Sequence, residues 1–215
     1  IVFQRYPGYR EALHGLGDAS NSKTEKNHLV RLRANQALWE ASKKDLLNPV
    51  LFLKRNLNDP NVELRLSAVE MLRKTGTPET IDALGQTAID KNQHETVKLK
   101  AIEAIGAISL SDPGVVGREI TGKNIRATQL LGQPPLFDDG STEKRHQRQV
   151  FYLSKVANDS KNSNALVLRA IKSIGQVKDK SSIKSLEMII NTHKDPSVRK
   201  QAIRVLSHVI ARQYE

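Results

Sequence analysis

Six histidines are the residues whose chemistry would be easiest to recognise: His14, His28, His94, His146, His193 and His208. No two lie three to five positions apart and none stands in an H-E-x-x-H pattern, so no helix turn offers a pair of metal ligands. The chain has no cysteine, which excludes thiolate ligands, disulfides and a thiol nucleophile. Asp138 and Asp139 are adjacent carboxylates before a glycine, without the alternating ligands and closing glutamate of a calcium loop. The glycine patterns that cradle phosphates or expose a nucleophilic serine are missing too. The resulting expectation is a non-enzyme, with no cofactor and no metal.

Charge is the remaining chemistry. Of the net +11, +9 falls in residues 143–215, where fifteen Lys and Arg face six Asp and Glu. An asymmetry of that size points to an acidic partner for the second part of the chain. The candidate basic surface is Lys144, Arg145, Arg148 and Lys155, followed by Lys180, Lys184 and Lys194. A second candidate is a loop tip, Leu136, Phe137, Asp138 and Asp139, within the glycine- and proline-rich stretch 111–142, where it reads as a docking plug. Phe151 and Tyr152 are neighbours, so at most one of them faces a core fully.

Three partner classes fit a basic surface. A protein with an acidic patch is the main expectation. Nucleic acid is the alternative, held through phosphates with a steep salt dependence, although aromatics for stacking bases amount to only 4% of the chain. Anionic lipid would meet the same charges. The longest apolar run, Ala104–Leu110, is far too short to cross a bilayer, so a soluble monomer or weak oligomer is expected. The chain begins with Ile and shows no signal segment, which suggests that it starts inside a longer or processed product and leaves the compartment open.

The elements that must position these groups recur. Ala34, Ala68, Ala101, Ala170 and Ala202 each follow an apolar residue by four positions: Val30, Leu64, Val97, Leu166 and Val198. Three positions before the alanine stands Arg31, Arg65, Lys98 or Arg199, with Val167 as the exception. The period is about 33 residues, with one copy degenerate near residue 135, and periods of that size mark stacked helical units. Each unit has room for a second helix, at about 44–57, 79–91 and 179–193 (second helices usually line the binding side of such arrays). Thr77-Pro78, Asp59-Pro60 and Asp195-Pro196 read as a capping residue followed by a first-turn proline.

These residues predict an all-α protein, a right-handed α-solenoid of stacked antiparallel helix pairs. It is expected as one domain: a cap over 1–25, repeats over 26–110, an irregular repeat with a loop over 111–142, and basic repeats over 143–215. Asp59–Leu72 (DPNVELRLSAVEML) and Asp195–Leu206 (DPSVRKQAIRVL) resemble HEAT-like repeats, the short variety of the phycobilisome-lyase-related group. The resemblance implies structural roles: Asp59 caps its helix, and Arg65 and Arg199 pair with acidic groups or carbonyls in adjoining repeats. Some DNA glycosylases are also built of HEAT-like repeats, but their Trp and Asp constellation has no match around the single Trp39.

Overall fold

The computed structural model describes residues 9–42, 50–108, 142–177 and 179–211. Among the described residues every regular element is a helix, as the repeat pattern predicts. The helices fall into two compact units, one holding those up to Thr77 and the other those from Pro78 on.

The first unit comprises α1 (Tyr9–Ala19), α2 (His28–Ser42), α3 (Val50–Asn56) and α4 (Val62–Thr75). Leu13 of α1 and Leu38 of α2 pack together, with Leu16, Ala41 and Phe52 around them. The inner face of α2 is unusual, because Arg31 and Asn35 are buried on it together with Ala34, Leu38 and Trp39. Each polar group is satisfied. Arg31 makes two 2.8 Å bonds to the Asp59 carboxylate, and Asn35 accepts from the Asn56 amide. Turning α2 to bring Arg31 inward leaves Val30 at 41% exposure, whereas the matching Leu64, Val97, Leu166 and Val198 are all buried.

Asp59 therefore does not cap α4. Both of its oxygens hold Arg31, and one also accepts from the Asn61 backbone N–H. The cap is Asn61, whose side chain accepts from the backbone of Glu63 and Leu64, and the helix starts at Val62 rather than at Pro60. Gly76 ends α4 in the left-handed region, at φ 64°, where a residue without Cβ is favoured. The equivalent start in the second unit behaves as expected: α10 begins at Pro196, and Asp195 accepts from the backbone and hydroxyl of Ser197. Those bonds hold the Asp195 carboxyl below its ordinary range.

The second unit comprises α5 (Pro78–Ile89), α6 (Glu95–Ala107), α7 (Thr142–Asn158), α8 (Asn164–Ile174), α9 (Lys180–Thr192) and α10 (Pro196–Ala211). Contacts arrange them in two layers, with α5, α7 and α9 side by side in one and α6, α8 and α10 in the other. Ile81 and Leu84, Leu153, Leu186 and Ile189 come from the first layer and Ile102, Ile105, Ile171 and Ile174 from the second, all fully buried. Ala101, Ala170 and Ala202 are fully buried as well, so the alanine register of the repeat is the inner face of the second layer. Gly106 lets α6 approach α8, since a Cβ there would overlap Ser173.

The basic position three residues before the alanine is structural at Arg31, Lys98 and Arg199. Arg199 donates to the carbonyls of His193 and Lys194 in the connector ahead of its own helix, as Arg31 does to those of Glu25 and Lys26. Lys98 donates to the Asn162 side chain at 3.1 Å. In α8, where the position is Val167, the slot is filled by apolar packing.

Candidate functional site

The structure places most of the sequence-derived cations on the layer made by α5, α7 and α9. On α7, Lys144, Arg148, Phe151 and Lys155 follow one another at spacings of four, three and four, which puts them on one helix face. That face is the exposed one. Arg145 lies a hundred degrees round from Lys144 and is half-buried, so it leaves the proposed surface. On α9, Lys180 and Lys184 share an exposed face with Glu187 and Met188. Lys194 is exposed but lies beyond α9, in the connector to α10. The loop candidates Leu136, Phe137, Asp138 and Asp139 fall outside the described residues.

The α7 face is fixed from both sides. Towards α5, Arg148 pairs with Asp82 at 2.8 Å, both side chains being largely exposed. Tyr152 is buried, its ring lying where a side chain at position 85 would be, and Gly85 leaves that room. Its hydroxyl accepts weakly from Gln86, and burial with the nearby Asp82 carboxylate pushes its pKa up. Towards α9, the Ser154 and Ser185 hydroxyls are bonded at 2.5 Å. Nearer the helix starts, His146 lies 4.0 Å from Asp179. Burial holds the His146 imidazole below its ordinary value, with Asp179 opposing the shift. Two such cross-links in the same chain order fix α7 and α9 as parallel.

Two large apolar side chains stand out on this layer. Phe151 is 52% exposed and Met188 58% exposed. The Lys155 ammonium sits 4.5 Å from the centre of the Phe151 ring, and Tyr152 meets that ring edge-on. Residues 10–106 match the HEAT-repeats family. This part of the chain is built of HEAT-like repeats. Among curated proteins none matches the sequence. Among solved structures, the chain is similar to human deoxyhypusine hydroxylase in complex with glycerol, at 14% identity over 94% of this chain and 96% of that one, with a TM-score of 0.39. It is similar also to an engineered protein, at 17% identity over 93% and 97% of the two chains, with a TM-score of 0.35.

The outer side chains of α7 and α9 are free of the inter-layer core, so Phe151 and Met188 reach solvent. Charge and spacing in the sequence point to the cations of α7 and α9 but not to Met188 or the seam between the two helices. Met188 does continue the spacing of Lys180 and Lys184, which carried a signal for it. No helix among the described residues is long and apolar enough to cross a membrane. Among them, too, no three His, Asp or Glu side chains gather closely enough to hold a metal ion.

Proposed function

We propose that this protein is a non-catalytic interaction scaffold, presenting the α5–α7–α9 layer of its second unit to a protein with an acidic surface. The observation that carries the reading is the inverted placement of two adjacent aromatics. The more polar Tyr152 is buried, while Phe151 stays half in water on a cationic face. Burying a phenylalanine contributes about 1.5–3 kcal/mol, and this unit forgoes much of it at position 151. A partner that covers Phe151 would recover that energy, and the surrounding lysines favour carboxylates on it.

Nucleic acid is the second reading, supported by the same Phe151 ring beside Lys155. It is weakened by Tyr152, which lies in the core and so cannot serve as a second stacking platform. The two readings separate in an affinity capture from lysate of the source cells, run with and without nuclease. The bait is the wild-type chain or the variant Lys155→Glu, Lys180→Glu, Lys184→Glu. The scaffold reading expects acidic proteins that resist nuclease and are lost from the variant. Capture that vanishes with nuclease, or that the variant retains, overturns it.

A further inference from the structure

We infer that the exposed face of α7 and α9 takes a short acidic peptide segment bearing one large apolar side chain. The apolar group would rest on Phe151 and Met188, and the carboxylates on Lys155, Lys180 and Lys184. This deepens the scaffold reading and rests on it.

The seam between the two helices supplies the geometry. Ser154 and Ser185 meet across it, and such small side chains let α7 and α9 approach closely. Phe151 lies one turn before Ser154, and Met188 one turn after Ser185. In parallel helices this puts one apolar group on each side of the seam and displaces them along it, as an extended ligand needs. The charges point the same way. Lys180 and Lys184 have no ion pair with any described residue, and the one exposed carboxylate on α9 is Glu187. Asp179 is committed to Ser181 and His146, and Asp82 to Arg148. A ligand covering this face therefore meets net positive charge beside apolar surface. Met188 argues for a peptide over a nucleic acid: a thioether adapts to aliphatic and aromatic side chains but offers no flat platform for a base.

The test is fluorescence anisotropy on the full chain with a labelled twelve-residue peptide of Asp and Glu carrying one central Leu. Its companions are the same peptide with Ser for Leu, a labelled single-stranded 20-mer DNA, and phosphatidylserine vesicles as competitor. The expected result is that the Leu peptide binds at least about tenfold tighter than the Ser peptide. Phe151→Ala with Met188→Ala should abolish that advantage, and Leu51→Ala, an exposed apolar change in the other unit, should leave it intact. All three side chains are about half in water, so the variants keep the fold, which their thermal midpoints check. Equal binding of both peptides overturns the apolar subsite and leaves the acidic-partner reading standing. Binding of neither peptide overturns both. DNA binding that Phe151→Ala weakens, with weaker peptide binding, reassigns the face to nucleic acid; displacement of the Leu peptide by vesicles at lower lipid than the Ser peptide reassigns it to membrane.

Discussion

Arg31, Lys98 and Arg199 in the first helices and Lys155, Lys180 and Lys184 on α7 and α9 meet opposite fates. Arg31 is 4% exposed and held by the Asp59 carboxylate and two backbone carbonyls; Lys98 and Arg199 likewise have fixed acceptors. Lys155, Lys180 and Lys184 face water, and the Lys155 ammonium lies over the ring of Phe151. The difference teaches that charge in this chain has two uses. Arg31, Lys98 and Arg199, three positions before their buried alanines, join connectors to helices. Outside that register, Arg148 and Arg55 are paired within their units, while Lys155, Lys180 and Lys184 stay in solvent.

The contrast can be broken most severely at Asp59. Asp59→Ala strands the Arg31 guanidinium in the interior and should cost about 3–5 kcal/mol, read as a lowered urea midpoint. The double variant Arg31→Met, Asp59→Leu should recover most of that loss, and failure to recover would mean that the pair does more than satisfy its own charges.

A comparison of nearly the same size sits within one dipeptide. Tyr152→Ala removes a ring packed on Gly85 and should destabilise by about 3–5 kcal/mol, whereas Phe151→Ala should cost under about 1 kcal/mol. Equal losses in thermal unfolding would remove the reason for treating Phe151 as a surface held for a partner.

A smaller effect is expected from His146. Because burial depresses its folded pKa below the ordinary 6.5, the folded state binds fewer protons than the unfolded one between those two values. Its contribution is thus fully present above pH 6.5 and is lost as pH falls through 6.5 towards the folded value. His146→Gln should flatten that part of the stability curve, measured as urea midpoint between pH 7.5 and 5.5 at about half-unit steps. A steeper decline in the variant would show that the Asp179 attraction outweighs burial. Smallest of all, Lys180→Glu with Lys184→Glu should move stability by less than about 0.5 kcal/mol, since both side chains are in solvent.

Much of the fold was legible because the repeat writes the same physical demand several times. All five anchor alanines are buried, and Pro78 and Pro196 start their helices where the sequence places them. The Asp-Pro start at 59–60 misled, since Asp59 and Asn61 were both able to cap and only the buried Arg31 decided between them. Of the candidate surface, Lys144, Arg148, Lys155, Lys180 and Lys184 could be read from charge and spacing. Arg145 could not be separated from them, because its half-burial depends on the neighbours of α7.

By itself, then, the sequence determined the helical repeat, its alanine register and the part of the chain rich in positive charge, since those follow from periodicity and composition along one chain. Only the tertiary structure decided which member of the Phe151–Tyr152 pair faces water. It also decided that α7 stands beside α9, and that Asp59 binds Arg31 instead of capping. Each of these turns on a contact between residues far apart in the chain: Tyr152 with Gly85, Ser154 with Ser185, Arg31 with Asp59. No local pattern records which distant surface a helix face will meet.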